Sequence, residues 1–228
     1  MLSKYAPCMS LERTPSSGGP EGSEEIRAFI ELDRAASDRD FVDYLEKHGC
    51  SHGELLDIGT GPADIPLLLV DRHQEIELTC IDNGKDMLRR ARLRVAERGE
   101  SRRIRLMEVD ALDLPFEREQ FDGAYSKNVL HHVTDPVQML REAMRVLRPG
   151  GGFVVRDLLR PGSEKELQRL LEEQAGELGE LEARMFERTT RAAYTLEEYQ
   201  EILDSAGLSA LRFERTSERH LSFIVRKP

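Results

Sequence analysis

The stretch Glu54-Leu-Leu-Asp-Ile-Gly-Thr-Gly-Pro-Ala63 decides how this chain folds. Leu55, Leu56 and Ile58 read as a short buried strand, and Gly59 and Gly61 then make a turn that no side chain obstructs. Glycine takes a positive φ without steric cost and lets backbone approach a ligand closely. A helix is predicted to begin near Asp64, so its free N–H groups face the same turn. Such an arrangement is a nucleotide-type pocket at the carboxyl end of a first strand. The glycines do not specify the ligand; the segments after them do.

Composition narrows the setting. With 228 residues the chain suits one large domain, or one domain with an insertion, and is long enough for a buried core. A hydrophobic fraction of 39% beside a charged fraction of 33% implies a soluble protein with heavily charged helix faces. The formal net charge of -10 argues against nucleic acid or an anionic membrane as a partner, since both reward basic surfaces. Arg89, Arg90, Arg92 and Arg94 cluster locally and read as a solvated helix face. No apolar run approaches the roughly 20 residues needed to span a bilayer, and the amino terminus lacks a signal peptide's apolar core. Cys8, Cys50 and Cys80 are odd in number and widely spaced, which suits neither disulfides nor a CxxC metal site. A cytoplasmic location is therefore expected.

Residues 1–23 include Pro15-Ser-Ser-Gly-Gly-Pro20 without apolar periodicity and are expected to form a flexible leader; 24–228 would be a single domain. Within it, 24–33 and 38–48 read as helices, with Ile26, Phe29, Ile30 and Asp33 at helical spacing and Ser37 as a cap. Strands are predicted near 54–58, 76–81, 103–109, 121–125 and 151–157, and helices near 64–72, 84–98 and 135–147. This alternation predicts an α/β doubly wound, mostly parallel sheet with helices on both faces. Residues 163–190 read as a charged helical segment interrupted at Gly176 and Gly179. Thr195-Leu-Glu-Glu198 is a capping box, Gly207 a helix stop, and Leu208–Phe213 with Leu221–Val225 an antiparallel hairpin at the sheet end.

Four features stand in order at predicted strand ends. They are Asp57-Ile-Gly-Thr-Gly61; Cys80-Ile-Asp82-Asn83; Glu108-Val-Asp110-Ala111 followed by Leu114-Pro115-Phe116; and Phe121-Asp-Gly-Ala-Tyr-Ser-Lys-Asn-Val-Leu-His-His-Val133, which runs through Asp135-Pro136 to Leu147-Arg-Pro-Gly-Gly151. In a doubly wound sheet these ends line one crevice. This ordered set resembles the class I S-adenosylmethionine-dependent methyltransferases, in the small-molecule branch of ubiquinone/menaquinone-biosynthesis-like enzymes. The likeness covers about residues 50–160 and, by pattern, the final hairpin. It implies a seven-stranded sheet of order 3-2-1-4-5-7-6 with the last strand antiparallel. The helices at 24–48 and a variable insertion at 160–195 would form a helical lid and select the acceptor.

The resemblance implies S-adenosyl-L-methionine as cofactor and a small-molecule methyl acceptor as partner, with the protein a monomer or homodimer. Gly59, Thr60 and Gly61 would give backbone approach to its methionine portion, with Asp57 near the ammonium. Asp82 would accept from both ribose hydroxyls, since a carboxylate offers two oxygens. By family pattern Asp110 and the Ala111 N–H meet the adenine, Asn83 and Met87 pack its other face, and the Ser126 carbonyl meets the ammonium. Each has a plainer alternative: Asp57 fixing the turn, Asp82 capping a helix, Asp110 a solvated loop carboxylate, Met87 core packing. The family's third glycine is Ala63 here, preceded by Pro62.

Methyl transfer from a sulfonium to a nucleophile is an in-line displacement with a neutral leaving group, so alignment and water exclusion supply much of the rate. A general base is needed only where the acceptor must lose a proton. His131 and His132 are the candidates for that role, against a packing role for the same pair; Lys127 and Asn128 are candidate substrate-side groups. Arg34 and Arg39 are candidates for a carboxylate contact, Tyr194 and Arg191 for touching an acceptor, and Phe29, Phe41, Tyr44, Met185 and Phe186 for an apolar pocket or lid packing. No His, Cys, Asp or Glu spacing reads as a metal site. Two other functions share parts of the pattern: a non-catalytic S-adenosylmethionine-binding scaffold, and an NAD(P)-dependent oxidoreductase. The latter is disfavoured by Asp57 ahead of the glycines and by the His-His and Leu-Arg-Pro-Gly-Gly signatures. Asp82→Ala is expected to weaken cofactor binding by about 1–3 kcal/mol. Calorimetry with S-adenosylhomocysteine checks this, and unchanged affinity would remove Asp82 from the site.

Overall fold

The computed structural model describes residues 11–16, 18–20, 22–32, 34–174, 178–210 and 212–228. Two helices, α1 (Gly22–Glu31) and α2 (Ala35–Lys47), precede the alternating core. That core runs β1 (Glu54–Ile58), α3 (Asp64–Arg72), β2 (Glu77–Asp82), α4 (Lys85–Glu97), β3 (Ile104–Glu108), β4 (Phe121–Lys127), a 3-10 turn (Leu130–His132), α5 (Pro136–Val146) and β5 (Leu147–Leu158). Then come α6 (Glu164–Gln174), α7 (Glu180–Ala192), α8 (Leu196–Ala206), β6 (Arg212–Arg215) and β7 (His220–Arg226). The seven strands form one sheet in the order β3-β2-β1-β4-β5-β7-β6. β7 runs antiparallel to both β5 and β6, and the other neighbours are parallel. Fold class and strand order are those expected.

Side chains alternate across each strand, so the sheet divides the core in two. Leu56, Ile58, Ala124, Phe153, Val155 and Phe223 face α5 and α8, while Leu55, Tyr125, Val154 and Ile224 face α2, α3 and α4. The strands are apolar on both faces because helices cover both. Reversal of strand order between β1 and β4 opens the crevice at their carboxyl ends.

The helix ends follow their sequence signals in most places. Thr195 and Glu198 form a reciprocal capping box, and Asp135 accepts from the Gln138 N–H ahead of Pro136. Ser37 does not cap α2. The helix begins earlier, at Ala35, and the Ser37 hydroxyl instead accepts from Lys127 Nζ at 3.0 Å. The first strand of the closing hairpin also starts later than expected. Gly207 takes a left-handed φ of 73°, and the Leu208 N–H returns to the Leu203 carbonyl, so Leu208 belongs to the helix stop. Leu208 and Ala210 then pack on the core as loop residues. Asp33 and Gly176 lie outside the described residues.

Part of the segment expected to be a flexible leader is docked. Leu11 is buried, its N–H reaching the Gly162 carbonyl, and the Thr14 N–H donates to the Arg191 carbonyl at 3.0 Å. Arg13 supplies the anchor that apolar periodicity does not reveal. It donates to the carbonyls of Ala192 (2.7 Å) and His131 (3.2 Å) and lies 3.9 Å over the Tyr194 ring.

Gly59 has φ of +79°, and a Cβ there would stand 2.3 Å from Val129 Cγ2. Gly59→Ala is expected to cost about 2–4 kcal/mol, from left-handed strain plus overpacking. At Gly61 (φ +55°) a Cβ would meet nothing within 4 Å, so Gly61→Ala should cost only about 1 kcal/mol. Urea unfolding of both variants reads the difference directly.

Candidate active site

The glycine loop is held from below by β2. The N–H groups of Gly59 and Thr60 both donate to the Ile81 carbonyl, at 2.8 and 2.9 Å. One residue later Asp82 takes over: its Oδ2 accepts from Gly61 N at 2.9 Å and its Oδ1 from Gly84 N at 2.7 Å. The carboxylate thus ties the turn after β1 to the turn after β2. Burial raises its pKa, and the N–H groups of Gly84, Gly61 and Asn83 act against that shift. Each carboxylate oxygen retains capacity for a further bond. The Val109 N–H reaches the Asp82 carbonyl at 3.1 Å, which brings the turn after β3 to the same rim.

Asp57 closes the base of the crevice. It is 3% exposed, and its Oδ2 has no hydrogen-bond partner, as is also true of Thr60 Oγ1 and Tyr125 OH. Burial pushes the Asp57 carboxyl up to about 7. The nearby Thr60 and Tyr125 hydroxyls pull the other way without reaching bonding geometry, and the Asp82 charge reinforces the rise. Ala63 stands where the family pattern has a glycine and takes a left-handed φ of 65° while its methyl is fully buried in the core. Core contact offsets a conformational cost of about 1–2 kcal/mol.

The remaining rim residues are placed unequally. Met87 is buried beside Gly84, which a Cβ on that glycine would approach to 3.6 Å. Asn83 is exposed at the turn before α4. Asp110 is exposed and its Oδ1 accepts from Leu112 N at 2.9 Å, which shapes its own turn; Ala111 packs against the core. Ser126 is fully buried in β4, and its hydroxyl has no partner. Lys127 is not a free substrate-side group. It pairs with Asp38 of α2, the two side chains 9% and 7% exposed, and so fastens that helix to the end of β4. Burial lowers its pKa, with Asp38 opposing. Asn128 takes φ of 58°, and its buried Oδ1 has no partner.

The two histidines differ. His131 is wholly buried, its Nδ1 paired with Asp157 of β5, while its Nε2 has no partner. Asp157 also accepts from Leu130 N and Leu158 N, each at 2.7 Å. Against burial, which raises its pKa, His131 and then the Leu158 N–H hold the Asp157 carboxyl below the usual range. His132 packs on His131 with ring centroids 4.0 Å apart; burial and its neighbour push it down to about 3, so it is neutral near pH 7. Asp157 and Arg13 were not singled out from sequence. The one signal for Asp157 was a carboxylate inside the apolar run of β5.

Other candidates are committed elsewhere. Arg34 bonds Asp64 at 2.7 Å and lies 4.1 Å over Phe29, and Arg191 pairs with Glu164 and Glu187. Phe41 and Tyr44 belong to the core beneath α2, and Met185 is buried; Phe29 and Phe186 are half-buried, each beneath a guanidinium.

A doubly wound sheet of this order, with an acid before the glycine turn and another at the end of β2, is the arrangement expected from the resemblance to class I methyltransferases. A family profile described as "Methyltransferase domain" matches residues 56–155. The chain is 31% identical over 168 residues to 27-O-demethylrifamycin SV methyltransferase of Amycolatopsis mediterranei, covering 72% of this chain and 57% of that one. It is 37% identical over 101 residues to demethylmenaquinone methyltransferase of Thermus thermophilus, covering 44% and 45%. The chain thus spans about half the length of such relatives. In fold it matches a SAM-dependent methyltransferase from Aquifex aeolicus (TM-score 0.69, 17% identity, 89% of this chain and 96% of that one). It also matches the [4+2]-cyclase SpnF (TM-score 0.67, 21% identity, 97% and 88%). Residues 56–155 of the chain thus match a methyltransferase domain, and the sheet has the fold of S-adenosylmethionine-dependent methyltransferases. Its residues fit that cofactor on two counts. Asp57 Oδ2 is a buried acceptor without a partner, and the Gly61 backbone faces open space. Among the described residues no helix is long and apolar enough to cross a membrane.

Because the folded value of Asp57, about 7, lies above that of an exposed carboxylate, stability from this group is full below about pH 4. It is lost as pH rises through 7. Asn cannot titrate, so the stability of the wild type relative to Asp57→Asn should fall between pH 5 and pH 8. The slope is at most about 1.4 kcal/mol per pH unit. Urea unfolding across that range checks it, and a flat difference would remove the buried acid.

Proposed function

We propose that the protein transfers a methyl group to a small-molecule acceptor by in-line displacement, and that the acceptor atom is a hydroxyl or another group that must shed a proton. S-adenosylmethionine supplies the electrophilic methyl on a sulfonium and leaves as a neutral thioether. Asp57, the Gly59–Gly61 backbone and Asp82 would hold its methionine and ribose portions, with Asn83, Met87, Asp110, Ala111 and the Ser126 carbonyl as further contacts. The observation that carries the reading is the crevice in which buried Asp57 and loop-tying Asp82 flank an unobstructed Gly61.

The acceptor chemistry follows from His131. With Asp157 accepting from Nδ1–H, the Nε2 lone pair is the basic face, and no described residue bonds it. A base so oriented takes a proton from an attacking hydroxyl, with Asp157 setting tautomer and ring position. Asn128 stands at the same rim as a candidate acceptor contact. The lid helices exclude water from the cationic centre, which favours alignment over solvation.

A second reading is a binding protein of the same fold without methyl transfer. It is favoured by the likeness to a protein described as a cyclase. Calorimetry with S-adenosylhomocysteine and NAD, followed by incubation of a cell extract with isotopically labelled methyl donor and mass spectrometry, separates the readings. We expect binding of S-adenosylhomocysteine but not NAD, and labelled O- or N-methyl products. His131→Asn should lower turnover about 10²–10⁴-fold with unchanged cofactor affinity. Binding without any labelled product would favour the second reading.

A further inference from the structure

Arg219 is the last residue before β7, and its carbonyl accepts from the Leu159 N–H at 2.8 Å, so it sits on the rim where β5 ends. Its guanidinium lies 4.0 Å over the ring of Phe186 in α7, the insertion helix that also packs against the histidine turn. The Nε is buried and has no partner. Among the described residues no carboxylate pairs with it: its neighbour Glu218 is turned to Arg169 instead.

Its surroundings make that exceptional. Arg13, Arg160, Arg169 and Arg191, from the segments around it, all bond carboxylates or carbonyls. The chain carries 43 acidic against 33 basic side chains, so a carboxylate was easy to supply. Burial alone pushes the Arg219 pKa down to about 10, still cationic near pH 7. Next to it, His220 is pushed down to about 3 by burial and then by Arg219, so it adds no charge. Buried polar atoms without a partner among the described residues also occur in the histidine turn and in α7, at His131 Nε2, His132 Nδ1 and Thr190 Oγ1.

We propose that Arg219, backed by Phe186, receives a carboxylate carried by the methyl acceptor. This rests on the methyltransferase reading only in calling the ligand an acceptor. A planar guanidinium presents paired N–H donors that match a carboxylate. One uncompensated cation balances one monoanion, and a phosphate dianion would call for a second. An anionic acceptor would also compensate the half-buried guanidinium, whose Nε has no partner among the described residues.

The test uses the full chain loaded with S-adenosylhomocysteine and labelled with ¹⁵N-arginine. The Arg219 Nε–H resonance is identified as the one missing in Arg219→Gln and, independently, in Arg219→Lys. Titration with benzoate should move that resonance saturably, and isosteric benzamide should not. No response to benzoate, an equal response to benzamide, or tighter binding of inorganic phosphate than benzoate would overturn the proposal. In the labelled-methyl incubation, products should retain on anion exchange, and Arg219→Gln should raise the KM for them at least tenfold while S-adenosylhomocysteine affinity holds. Labelled products that are all neutral would overturn it. A benzoate response without any methyl transfer supports the anion receptor and overturns the methyltransferase reading instead.

Discussion

The Asp82 carboxylate is the contact on which the crevice depends. Two loops leave adjacent parallel strands with their N–H groups unpaired, and one side chain satisfies a donor from each. Leaving a buried N–H unpaired costs about 1–3 kcal/mol, so the turns after β1 and β2 are set together. The backbone tie from Val109 to Asp82 draws in the turn after β3. Gly59 can then lie against Val129, and Gly61 can face outward. Asp57, beneath them, is expensive to bury as an anion, and burial raises its pKa accordingly.

Around this floor α2 is fixed by charge as well as by apolar contact. Lys127 with Asp38 fastens α2 to the end of β4, and Asp64 accepts from both Arg34 at the start of α2 and Arg94 of α4. Exposed ion pairs such as Arg27–Glu31 contribute about 0–1 kcal/mol. The buried Lys127–Asp38 pair has a different role, since breaking one partner leaves an uncompensated charge and so enforces one docking position. Arg13 acts similarly through neutral groups, joining the chain's early segment to the histidine turn and the end of α7. Lys127 and Arg34, which sequence offered to ligands, are therefore used to place α2.

Fold and function separate at this point. The same architecture occurs in proteins described as methyltransferases and in one described as a cyclase, so the sheet determines where chemistry takes place and not which. The rim of β4, β5 and β7 carries, among the described residues, a histidine held by a buried carboxylate and a guanidinium stacked on a phenyl ring.

The sheet was legible in the sequence because its signals are local. Apolar runs at 54–58, 76–81 and 121–125, glycine stops and the Thr195–Glu198 cap each act within a few residues, and the strand ends carry motifs in fixed order. The bounds of β6 were misread because apolar Leu208 and Ala210 serve the core from a loop, a role that strand-like composition does not distinguish. The positions of Asp57, Gly61 and Asp82 were readable because each lies at or just past the end of a strand set by local signals. Lys127 looked free because its partner Asp38 lies 89 residues away, and Asp157 lies 26 residues from His131. Pairings at such distances follow from which helix crosses which strand end. Sequence alone determined the strands, their order of use and the chemistry available at their ends. Only the tertiary structure decided which of those groups neutralise one another and which remain for a ligand, because a buried charge takes its role from its nearest partner in space.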